Sequence, residues 1–203
     1  MAFLISIIGN TGVGKTSLAN ALVEKSGWEL IPEQHEERPY QAAASSGISN
    51  AIFPNQIDYL LYRAEQEKAM RPTKGIYIQD GGLDLDFHLF TKMFYHNGLI
   101  DEDQFRLCDR LYHFIRNSLP CPDLLVYLTA PLETIRQRKE SRNRLLDVST
   151  TEDIEIGQDL LNSWLGTGQD EKIMTIDAEN ASLDYHSQAL IIMQTAISMV
   201  VNE

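Results

Sequence analysis

Gly9-Asn10-Thr11-Gly12-Val13-Gly14-Lys15-Thr16 is the stretch on which the reading of this chain turns. It fits G-x-x-x-x-G-K-[ST] without a gap. Ahead of it, Phe3 to Ile8 is a short apolar run with β-branched residues, which reads as a buried strand. Behind it, Lys15 to Lys25 reads as a helix with Leu18, Leu22 and Val23 on one side. Glycines between a strand and a helix let backbone N–H groups turn toward one point, and the helix N-terminus adds its positive end. This is a cradle for phosphate. Residues Gly9 to Ser17 are expected to hold the phosphates of a nucleotide, with Lys15 reaching the β- and γ-phosphates and Thr16 ligating Mg²⁺.

Working outward, Trp28 to Ile31, Gly75 to Gln79, Asp123 to Leu128 and Lys172 to Ile176 read as four more strands. Helices are expected over about 54–70, 83–96, 102–118, from Pro131, over 151–165 and over 183–200, with helix plus loop over 34–52. Pro54 suits a first helical turn, and Asn97-Gly98 marks a break. Strands that alternate with helices predict an α/β fold. We expect three α/β/α layers on a five-stranded parallel sheet, in one domain over residues 1–203.

Composition narrows the partners. The 203 residues carry 17 Lys and Arg against 29 Asp and Glu, a net charge of −12. Such a chain repels nucleic acid polymers and anionic membranes. No apolar run reaches the length of a membrane span, and no basic residue precedes the first one, so neither a span nor a signal peptide is expected. Cys108 and Cys121 lack metal-ligand spacing and read as reduced thiols of a cytoplasmic protein. Arg136, Arg138, Lys139, Arg142 and Arg144 nevertheless crowd one short window with the single acid Glu140, which suits a small polyanion.

The phosphate loop alone does not choose a reaction. GTPases share its wording, but the guanine-reading tetrapeptide Asn-Lys-x-Asp does not occur here. Five places together make the chain resemble the deoxynucleoside kinase family of P-loop kinases, especially its short bacterial members. The loop is the first. Ile31-Pro32-Glu33 ends the second strand, followed by Arg38-Pro39-Tyr40. Phe53-Pro54-Asn55-Gln56 leads into Tyr59 and Arg63. Asp80 follows the third strand, and Arg136-x-Arg138 with Arg142 and Arg144 looks like an arginine-rich lid over about 136–150.

The resemblance implies phosphorylation of the 5′-hydroxyl of a deoxynucleoside by Mg-ATP, and a homodimer. Glu33 then takes the hydroxyl proton. Gln56, with a donor and an acceptor, pairs with a base edge, while Tyr59 and Arg63 complete the acceptor side. Asp80 organises Mg²⁺, directly or through water. Arg138, Arg142 and Arg144 neutralise charge on the transferred phosphoryl group. Where the family has Asp-Arg-Ser, this chain has Asp80-Gly81-Gly82. An arginine is therefore missing: either Arg38 or Arg63 replaces it, the acceptor differs, or activity is weak or lost. Two other readings stay open at this point: a thymidylate-type monophosphate kinase, and a nucleotide-binding regulator without kinase chemistry.

Overall fold

The computed structural model describes residues 1–31, 38–140, 153–167, 172–179, 181 and 184–201. Five strands form one parallel sheet: β1 (Phe3–Ile8), β2 (Glu29–Ile31), β3 (Ile76–Asp80), β4 (Leu124–Thr129) and β5 (Ile173–Asp177). Their order is β2-β3-β1-β4-β5. Each expected strand is present within a residue or two of its reading.

β1 is central because both its faces are apolar. Phe3, Ile5 and Ile7 join the largest core cluster, with Leu18 and Leu22 of α1 (Lys15–Ser26) and Ala189 and Ile192 of the last helix. On the other face, Ile8 packs with Leu85, Leu89, Leu125, Leu161 and Trp164. A strand apolar on both sides requires helices above and below the sheet, which gives the three layers.

Between β2 and β3 lie α2 (Gln41–Ser45), a 3₁₀ turn (Ser49–Ala51) and the long α3 (Ile52–Met70), with Pro54 in its first turn. The stretch expected as one helix over 83–96 is a composite. A short α4 (Leu83–Leu85) runs into a π-helical segment (Asp86–Thr91) and then α5 (Lys92–His96). After the break at Asn97-Gly98 comes α6 (Glu102–Arg116), started by a capping box between Asp101 and Gln104. The remaining helices are α7 (Leu132–Glu140), α8 (Asp153–Leu165) and α9 (His186–Val201).

All five strands are parallel, so their C-terminal ends share one rim. Ile7 of β1 is level with Asp80 of β3. An open α/β sheet places its ligand crevice at that rim.

Candidate active site

The loop after β1 has the strained shape the motif requires. Gly14 has φ 115° and Gly9 φ 148°. A Cβ on Gly9 would lie 2.4 Å from the Leu128 carbonyl oxygen, and one on Gly14 would lie 2.3 Å from the Tyr185 hydroxyl. Both positions therefore exclude any side chain. The first turn of α1 carries no side-chain cap and no acid, so its N–H groups face the loop as donors for an anion. Lys15 Nζ donates to the carbonyls of Gly9 and Asn10, both at 3.0 Å. The lysine side chain thus folds back on the backbone of its own loop.

Two side chains brace this loop, Arg138 from outside it and Asn10 from within. Arg138 of α7 donates Nη1 to Val13 O at 3.0 Å and Nη2 to Ala178 O at 2.8 Å. The sequence suggests a guanidinium lying over phosphate; in the structure it grips the backbone of the loop and the turn after β5. Asn10 is buried, donates Nδ2 to Ile154 O at 2.7 Å, and accepts from Thr11 N–H at 2.8 Å.

A second polar group lies in the layer made by α3 and the π-helical segment. Arg63 is 1% exposed and donates Nε to Asp86 Oδ2 at 2.8 Å. Burying a guanidinium this deeply requires a paired carboxylate. Gln56 donates Nε2 to Asp86 O at 2.9 Å and to Thr91 Oγ1 at 2.8 Å. Its amide nitrogen is spent inside the fold, so the two-handed reading of a base edge does not hold for this arrangement. Its carbonyl oxygen takes no part in these two bonds. Sequence reasoning missed Asp86. The signal was available: Leu83-Asp84-Leu85-Asp86-Phe87 puts two acids into an apolar run, and both are buried.

The rim between the two groups is formed by β3. Asp80 is 2% exposed at the strand's end. Gly81 follows with φ 81°, its N–H donated to Ile7 O at 3.0 Å and its carbonyl accepting from the Ser6 hydroxyl. A Cβ on Gly81 would sit 3.4 Å from Arg63 Nη2. Arg63 therefore comes up to the place where the expected arginine is absent. Arg38 does not. Both its Nε and Nη2 are held by Asp58, and its guanidinium lies 4.4 Å above the Tyr62 ring. Tyr59 is half-buried on α3. Glu33, Arg142 and Arg144 lie outside the described residues.

Comparison with known proteins comes down on one family. A profile described as deoxynucleoside kinase matches residues 5–201. A deoxyguanosine kinase of Bacillus subtilis (strain 168) is 28% identical over 141 residues, covering 69% of this chain and 67% of the relative. A deoxyadenosine/deoxycytidine kinase of the same organism is 27% identical over 150 residues, covering 73% and 69%. Among solved structures, deoxyadenosine kinase from M. mycoides with bound dCTP superposes with a TM-score of 0.79 at 24% identity, over 97% of this chain and 100% of that one.

Proposed function

Since the chain belongs to the deoxynucleoside kinase family and is a phosphotransferase that carries phosphate from ATP to a deoxynucleoside, we propose that its catalytic parts divide between the two groups just described. The loop from Gly9 to Ser17 binds the triphosphate, with Val13, Thr11 and Gly12 supplying backbone and Lys15 the charge. Glu33, two residues beyond β2 in sequence, is the general base for the 5′-hydroxyl. The observation that carries this division is the common rim, where the phosphate loop, Asp80 and the end of β2 all lie at the C-terminal ends of neighbouring parallel strands.

The Mg²⁺ assignment fits the donor chemistry. Thr16 and Asp80 offer a hydroxyl and a carboxylate, the hard oxygen ligands Mg²⁺ takes, and two protein ligands suit an ion that keeps waters and phosphate oxygens. When bound, the ion neutralises charge on the phosphates. The chain's own residues do the rest. Lys15 orients the terminal phosphates, and Glu33 accepts the hydroxyl proton. Arg63, held by Asp86 and reaching Gly81, supplies the positive charge that the missing arginine does not. Gln56 Oε1 accepts from the base, and Tyr59 borders it. Arg142 and Arg144 act on the phosphoryl group from a lid over about 136–150, with Arg138 bracing its base.

We further propose a homodimer through the outer face of α3 and α6. Leu61, Leu107 and Phe114 are exposed there, and Phe114 is 72% exposed. No helix among the described residues is long and apolar enough to cross a membrane. A single-domain enzyme of the cytoplasm remains part of the proposal.

The test is Mg-ATP phosphoryl transfer to a panel of deoxynucleosides, with the matching monophosphates and a no-acceptor control alongside. The expected result is transfer to a nucleoside, falling about 10²- to 10⁴-fold in Glu33→Gln. Full activity in that variant removes Glu33 from the mechanism.

A further inference from the structure

Gly157 lies inside α8, in its second turn, between Ile156 and Gln158. Glycine is a poor choice for a helix interior, so its presence there asks for a close neighbour. Two are present. A Cβ on Gly157 would lie 2.9 Å from Asn10 Oδ1 and 3.1 Å from Leu89 Cδ1. Neither atom has freedom to yield. Asn10 is fixed at both ends of its amide, by Thr11 N–H and by Ile154 O. Leu89 is 1% exposed, in the cluster with Ile8, Leu85, Leu161 and Trp164.

These two neighbours belong to opposite halves of the site. Asn10 is part of the phosphate loop. Leu89 lies in the π-helical segment whose ends, Asp86 and Thr91, hold Arg63 and Gln56. α8 is thus wedged between the phosphate loop and the acceptor layer, and its thinnest point is Gly157. Asn10 also ties the loop to the first turn of α8 through Ile154 O, so loop and helix are held as one body.

We propose that Gly157 and Asn10 are positioning residues that set the distance between the ATP phosphates and the acceptor hydroxyl, on the assignment of the two half-sites given above. α8 packs on both half-sites, through Ile154 O on Asn10 and through Leu161 and Trp164 beside Leu89, so it bears on their spacing. Phosphoryl transfer depends steeply on that spacing, because misplacement of about 1 Å costs up to about a hundred-fold in rate.

The experiment is Gly157→Ala, measured as kcat, with separate dissociation constants for a non-hydrolysable ATP analogue and for the deoxynucleoside that the wild type phosphorylates best. A loss of kcat of about ten- to a hundred-fold, with both dissociation constants within about three-fold of wild type, is the expected signature of a changed gap. Leu89→Val, added to Gly157→Ala, relieves the contact on one side and is expected to recover kcat by about three-fold or more. Unchanged kcat in Gly157→Ala overturns the proposal, as does a loss accounted for by weaker binding of either ligand, or no recovery in the double variant. If Gly157→Ala does not fold, Asn10→Ser, which cuts the tie to Ile154 O, is read for the same split between kcat and nucleoside binding. A wild type that transfers phosphate to no nucleoside removes the half-site assignment and this inference together. Active wild type with unaffected variants removes this inference alone.

Discussion

Gln56 has a double capacity that its neighbours have already half used. Its amide nitrogen holds the backbone of the π-helical segment at Asp86 and the Thr91 hydroxyl. A residue serving only the ligand is dispensable to the empty protein; this one is not. Gln56→Glu places a carboxylate oxygen against a carbonyl, and we expect it to lower the stability of the ligand-free protein by about 1–3 kcal/mol in urea unfolding. Unchanged stability would mean that the amide is free to serve the base alone. Arg116 is a second such residue. It bridges Glu67 and Asp84, with contacts of 2.8 Å to both, and all three side chains are buried. Burial works against its charge, but Asp84 and Glu67 outweigh that and raise its pKa. Arg116→Met leaves two buried carboxylates facing each other. The expected cost is about 3–5 kcal/mol, read as a lower urea midpoint at constant m-value.

At the scale of elements, the five strands were legible because each is a short, mostly apolar run, and four of them have a Gly or Pro close by, such as Gly75 before β3 and Pro122 before β4. The phosphate loop was legible for a different reason: few residue types meet its backbone angles. The π-helical segment was not legible. Phe87, Phe90 and Phe94 keep an ordinary helical spacing, and nothing in the residue order marks Asp86–Thr91 for the wider turn. For the same reason the pairing of Arg63 with Asp86 was hidden, since the two are 23 residues apart in unrelated stretches. The start of α6 is simpler. Asp101 accepts from Gln104 N–H at 2.8 Å, and Gln104 Oε1 accepts from Asp101 N–H at 3.0 Å. Asp101→Ala is expected to cost about 1 kcal/mol, measured by thermal unfolding, with no change in nucleoside binding.

Across the whole molecule, one chain of polar groups joins the acceptor layer. Tyr112 spends its hydroxyl proton on Asp84 at 2.8 Å, so its oxygen accepts from His88 Nε2, and Lys92 donates to His88 Nδ1 at 3.1 Å. His88 also stacks on Trp164 of α8 at 4.5 Å. Burial, and then the charge of Lys92, pushes the His88 pKa down to about 3. Its folded value lies below its unfolded value, so the unfolded chain binds the proton first. The stability that neutral His88 contributes is complete above about pH 6.5 and declines as pH falls toward 3. In His88→Phe, the difference in unfolding free energy between pH 7 and pH 5 should be smaller than in the wild type. The outer face of α3 and α6 belongs to the same scale. Phe114→Glu should convert a dimer to a monomer in sedimentation velocity, and a wild type that sediments as a monomer rejects the proposed assembly.

The sheet order has a consequence for how the protein is made. β1 is translated before every other strand, yet its two neighbours are β3 and β4, so its second edge is covered only after Thr129 has been added. At roughly 5–20 residues per second, the nascent chain carries Phe3–Ile8 without its full set of partners for on the order of ten seconds. The nucleotide cradle is thus the first part of the site to be synthesised and among the last to acquire its shape. Over that interval its apolar strand keeps an unpaired edge, the kind of surface that mispairs before folding is complete.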